Sequence, residues 1–110
     1  MTQSADTKVS VVIPVYNVAE YLPRCLDSIL GQSLRDVEII CVDDCSPDNS
    51  GAILDEYSAR DSRVKVIHKS VNQGPMMARH DGYSSAEGEY VFFCDGDDFL
   101  PADALQTLYL

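Results

Sequence analysis

The stretch Tyr90–Asp98, Tyr-Val-Phe-Phe-Cys-Asp-Gly-Asp-Asp, sets an unbroken apolar run against three carboxylates. Five consecutive apolar or aromatic residues without alternation have the pattern of a strand covered on both faces, as in a parallel sheet. Asp95 and Asp97, one residue apart at the end of such a strand, point the same way and repel each other. Keeping both ionised beside an apolar sheet is costly unless a cation compensates. A hard divalent ion, Mg²⁺ or Mn²⁺, suits the position because carboxylate and phosphate oxygens can share its coordination shell. The plainer alternative is an acidic surface turn, with Asp98 capping a helix expected to start at Pro101.

Working outward, the same alternation recurs. Val9–Ile13 is a β-branched run expected to stop at Pro14, and Val37–Val42 and Val64–Ile67 are two further strands. Leu22, Leu26, Ile29 and Leu30 mark a helix that tolerates Pro23 in its first turn and closes at Gly31. Ile53, Leu54 and Tyr57 mark a second helix, Met76 to about Ser85 a weaker third, and Leu105, Leu108 and Tyr109 a last one. Strands alternating with helices predict an α/β fold: a mostly parallel sheet with helices on both faces, three layers deep. Ligands of such sheets bind at the carboxyl ends of the strands. Tyr16 and Asn17 follow the first strand, Asp43 and Asp44 the second, His68 and Asn72 the third, and Asp95, Asp97 and Asp98 the fourth. All fall on one edge.

The chain has 110 residues, enough for one small domain. Eighteen acids against eight Lys and Arg give a net charge of −10, which argues against a nucleic-acid surface. No run reaches the length of a membrane span, and the first eight residues, expected to be a flexible tail before a domain over 9–110, lack a signal-peptide pattern. Cys25, Cys41, Cys45 and Cys94 lack zinc-site spacing and are expected to be reduced thiols of a cytoplasmic protein. Asp43 and Asp44 could bind a base or ribose hydroxyl, or solvate a loop and cap a helix. Arg79 and Lys69 could meet a phosphate or form surface ion pairs. His68 and His80 read as structural. No GxGxxG or P-loop pattern is present.

Taken together, VVIPVYN, VDDCSPDNS, NQGPMMARH and GEYVFFCDGDD closely resemble the N-terminal half of the family 2 glycosyltransferases with the GT-A fold. The likeness runs from about Val9 to the end, with Cys45 where the family usually has Gly and His80 where it often has Asn. It implies a Rossmann-like nucleotide-sugar-binding half. Pro14, Tyr16 and Asn17 would shape the base pocket with Glu20 nearby, and Asp44, with Asp43, would bind uracil or an equivalent base. Gly74 and Arg79 would lie along ribose and pyrophosphate. Asp95 would face the ribose, Asp97 would hold the Mn²⁺ or Mg²⁺ that bridges the phosphates, and Asp98 would assist.

The activity implied is metal-dependent transfer of a sugar from a nucleotide-diphosphate sugar, with UDP the commonest carrier, to an acceptor hydroxyl on a glycan, lipid or protein. No residue matches the family's general base, which the resemblance places beyond Leu110. The chain is therefore expected to be a donor-binding fragment, inactive alone, self-associating through the face its missing half would cover and lying in the cytoplasm, at the inner membrane face through that half. One rival is a binding domain that does not transfer sugar. The other is an aspartate-dependent phosphohydrolase, which would want Thr where Phe99 stands.

Overall fold

Strand and helix alternate through the described residues: β1 (Val9–Val15), α1 (Leu22–Leu30), β2 (Val37–Asp43), α2 (Ser50–Arg60), β3 (Val64–His68), α3 (Pro75–Ser85), β4 (Tyr90–Phe93) and α4 (Ala104–Tyr109). The computed structural model describes residues 7–109. Of the tail expected over 1–8, residues 1–6 lie outside the described residues. Lys8 is tied down on both sides: its amide donates to Asp36 O at 2.9 Å and its carbonyl accepts from Tyr90 N at 3.0 Å.

The sheet is parallel throughout, in the order β3-β2-β1-β4. The chain moves outward from β1 to β3, then returns across β1 to β4. Right-handed crossovers place a helix on opposite faces according to the direction of travel. α1 and α2, made on the outward path, therefore pack on one face, and α3, made on the return, on the other. Strand parity agrees. Val9, Val11, Ile13 and Val15 of β1 and Ile39 and Cys41 of β2 join Leu22, Leu26, Ile29, Leu54 and Leu105 in one core. Val12, Ile40 and Val42 meet Ala78 of α3 in a second, smaller core. Each fully buried Ile or Leu contributes about 1.5–3 kcal/mol by leaving water. This is the expected three-layer architecture. No helix among the described residues is long and apolar enough to cross a membrane.

Three sequence expectations are corrected. Pro14 does not stop β1, which continues to Val15 with Pro14 opposite Val42. Even-numbered residues of β1 aim their backbone at β4, as the bond from Cys94 N to Val12 O shows, whereas Val15 O turns to Asp44 N on the β2 side. The missing Pro14 N–H thus faces past the end of β4, where no rung is lost. β4 is not buried: it pairs with β1 alone, and Tyr90 and Phe93 are exposed. Its outer side and α4 form an apolar groove of about 250 Å³ lined by Val9, Tyr90, Phe92, Leu105, Leu108 and Tyr109. α4 begins at Ala104, not Pro101. The Pro101 carbonyl instead accepts from Ala104 N at 3.1 Å and from the buried Gln32 Nε2 at 2.6 Å.

Candidate functional site: an acidic cleft at the carboxyl edge

A cleft of about 380 Å³ opens where the strand order reverses, at the carboxyl ends of β1, β2 and β4. Its lining includes Pro14, Tyr16, Asp44, Gly74, Arg79, Asp95 and Asp97, all singled out in the sequence. Val15, Val18, Asn72, Pro75, Ala78 and Gly96 complete it. Asn17, Glu20, Asp43 and Asp98 are not in the lining.

Asp43 and Asp44 separate by strand parity, since successive side chains point to opposite faces. Asp44 turns to the α3 side and is buried. Its Oδ1 accepts from Gln73 N at 2.9 Å and its Oδ2 from Gly74 N at 2.8 Å, so it clamps the loop between β3 and α3. Gly74 adopts φ +93°, a conformation that side-chain-bearing residues rarely hold, and this turns both amides onto the carboxylate. Asp43 turns the other way. Its Oδ1 accepts from Ser46 N at 3.0 Å, and its Oδ2 lies 3.1 Å from His68 Nδ1, while His68 Nε2 reaches Asp55 Oδ1 at 2.7 Å. Hydrogen bonds to Asp55 and then Asp43 hold the His68 imidazole above its ordinary pKa.

The loops after β1 and β2 are joined by the side chains of Ser46, Asp48 and Ser50. Three successive amides, Asn17, Val18 and Ala19, donate to Ser46 Oγ at 3.2 Å, Ser50 Oγ at 3.2 Å and Asp48 Oδ2 at 3.0 Å. Asn17 sits at φ 56° and Cys45 at φ 61°. At Cys45 the left-handed region carries strain that a glycine, without a Cβ, would not. All four cysteines are free thiols.

The acidic loop after β4 is held from beneath. The thiols of Cys25 and Cys94 both lie 3.6 Å from the Asp95 carbonyl oxygen, and Asp98 N closes a turn onto the same oxygen at 3.0 Å. Gly96 is close-packed, since an added Cβ would stand 2.9 Å from Val18 Cγ2. The outcome is that Asp95, Asp97 and Asp98 each present a carboxylate oxygen within 4.8 Å of the others, all three residues solvent-exposed. Three hard oxygen donors with open positions toward solvent suit Mg²⁺ or Mn²⁺. Arg79, from the first turns of α3, reaches in from the opposite wall with Nη2 3.1 Å from Asp95 Oδ1.

Residues 10–110 match the sequence profile of Glycosyl transferase family 2. The chain belongs to that family. It is 45% identical over 100 residues to the uncharacterized glycosyltransferase EpsJ of Bacillus subtilis, covering 91% of this chain and 29% of that protein. Among solved structures it resembles S. aureus TarS 1-349 in complex with UDP-GlcNAc, with a TM-score of 0.85 and 34% identity over 93% of this chain and 30% of that one. It also resembles the mannosyltransferase PcManGT from Pyrobaculum calidifontis in complex with GDP-Man and Mn²⁺, with a TM-score of 0.81 and 25% identity over 93% of this chain and 30% of that one. The chain thus spans under a third of the length of these relatives. Its parallel sheet is the GT-A fold of these glycosyltransferases.

Proposed function

We propose that this family 2 glycosyltransferase chain binds a nucleoside-diphosphate sugar, with UDP as the carrier, together with Mg²⁺ or Mn²⁺, and that the whole protein transfers the sugar to an acceptor hydroxyl. The observation that carries the reading is the solvent-open trio Asp95, Asp97 and Asp98 at the mouth of a cleft whose lining has one guanidinium. Three of the lining residues are acids, Asp44, Asp95 and Asp97, so an anionic diphosphate needs more positive charge than Arg79 provides. A divalent ion held by Asp97 with Asp95 and Asp98 would act as a Lewis acid on the departing diphosphate.

The chain's own residues then divide the donor among them. Tyr16, half exposed on the rim beside Pro14, offers a ring face to the base, with Asn17 and Glu20 on the same loop. Asp44 keeps a free lone pair on each oxygen beyond its two amide bonds and can accept from a base N–H. Asp43 faces away from the cleft and ties Ser46 and His68 to the end of β2. Gly74 brings backbone close to the ribose and pyrophosphate. Arg79 would meet phosphate oxygens with two parallel N–H donors.

Residues 1–110 alone are assigned donor binding, and the acceptor's proton is assigned to no described residue. The apolar groove between β4 and α4 gives the isolated chain a surface for self-association. A monomer whose sedimentation does not change with concentration would remove that assignment. The donor reading is tested by titrating UDP into the chain with and without Mn²⁺, with ADP as control. Saturable binding that needs the metal, prefers UDP and disappears in Asp97→Ala is expected. Failure to bind UDP at millimolar concentration, with metal, overturns it.

A further inference from the structure

Asp95 faces two rival cations. It is one of the three carboxylates grouped for a divalent ion, and it is also the ion-pair partner of Arg79 at 3.1 Å. Arg79 is the one basic residue lining the cleft among the described residues. While that pair is closed, a metal ion arriving alone meets two unpaired carboxylates and a third already neutralised by a guanidinium. Arg79 also repels the ion directly. Both partners are substantially exposed, 41% and 53% by side chain, so the pair is weak and opens readily. A diphosphate changes the balance, because its oxygens accept a guanidinium in a fork of two charge-assisted bonds, which one exposed carboxylate oxygen does not match.

We infer that Arg79 exchanges partners during binding: it holds Asp95 in the empty cleft and leaves it for the diphosphate, releasing Asp95 to the metal. The inference deepens the donor-binding reading and rests on it. Its consequence is positive cooperativity between metal and nucleotide that passes through one ion pair. By linkage, the factor by which nucleotide tightens metal binding equals the factor by which metal tightens nucleotide binding. Arg79 therefore acts against the metal alone and for the metal–nucleotide pair, two effects of opposite sign from one side chain.

The experiment measures Mn²⁺ binding without nucleotide, by the spin-resonance signal of free Mn²⁺, in the 110-residue chain and in Arg79→Gln, Asp95→Asn and the double variant, and then UDP binding at saturating Mn²⁺. Arg79→Gln is expected to bind Mn²⁺ alone about two- to fivefold more tightly, the scale of an exposed ion pair, and to bind UDP more weakly. In the Asp95→Asn background the gain on removing Arg79 is expected to shrink to the part that direct repulsion supplies, because the pair is already broken. Unchanged or weaker Mn²⁺ binding by Arg79→Gln overturns the exchange, as does a gain that persists in full without the Asp95 charge. Asp97→Ala separates the two levels of the argument. If it binds Mn²⁺ as the parent chain does, and neither binds UDP, the donor-site reading falls and the exchange falls with it.

Discussion

Glu38 and Asp97 stand at opposite ends of one sheet, and their negative charges are handled in opposite ways. Glu38, near the amino end of β2, is 1% exposed, yet every donor around it is turned toward it. Ser10 Oγ and Glu87 N lie 2.5 Å from Oε2, and Lys65 Nζ lies 2.9 Å from Oε1. Burial alone would push its carboxyl up, but the bonds from Ser10, the Glu87 amide and Lys65 outweigh that and hold it below the ordinary range. Asp97, after β4, is exposed beside two like charges, and among the described residues its carboxylate meets no donor. A closed acid joins β1, β2, β3 and the turn into β4, while an open one leaves coordination positions for something from solution. The difference separates charge used for architecture from charge held available for a ligand.

The largest expected effect is at the closed end. Glu38→Ala strands the buried Ser10 hydroxyl, takes the carboxylate partner from the Glu87 amide and Lys65, and should cost about 3 kcal/mol of stability in denaturant titration. UDP affinity of the folded protein should not change, and an unaltered midpoint would break the comparison. At the open end, Asp97→Ala should remove the Mn²⁺-dependent UDP binding seen by calorimetry. Its unfolding free energy should stay within about 0.5 kcal/mol of the parent, as befits a surface position. Asp44 combines both characters, being buried and partnered yet part of the cleft. Asp44→Asn sets a side-chain amide where an oxygen accepted an N–H, so about 1–2 kcal/mol of thermal stability and a share of UDP affinity should be lost together.

Smaller effects sharpen the same contrast. Cys45→Gly relieves a left-handed conformation and should raise stability by about 0.5–1 kcal/mol in a thermal scan. His68, between Asp43 and Asp55, is held charged to higher pH than an ordinary imidazole. Its stabilising contribution is therefore complete below about pH 6.5, the ordinary value, and fades as pH rises through its raised pKa. His68→Gln should cost more at pH 6 than at pH 8.5. The difference should stay under about 1 kcal/mol because the ring is 46% exposed and solvent-screened.

The strands were legible because β-branched runs such as Val9–Ile13 and Val37–Val42 carry their own pattern. The site's edge was legible because charged residues follow those runs. Position within the sheet was not written locally. Tyr90–Phe93 reads as buried, yet strand order leaves it with a neighbour on one side only. Pro14 looks like a stop until its orientation toward the short β4 is known. Asp43 and Asp44 could have been divided from sequence by parity, since Ile40 and Val42 share a face with Asp44. The contacts of Ser46, Asp48 and Ser50 with residues 17–19 could not have been found that way, because they join two loops brought together only by the pairing of β1 with β2.

Those three contacts carry a dynamic consequence. Amide hydrogens of loops normally trade with solvent within seconds, but Asn17, Val18 and Ala19 have theirs fastened in sequence to a second loop. In deuterated water this short turn should retain its protons far longer than its surroundings. Its rate of isotope uptake becomes a clock for how often β1 and β2 part at the edge where the cleft opens.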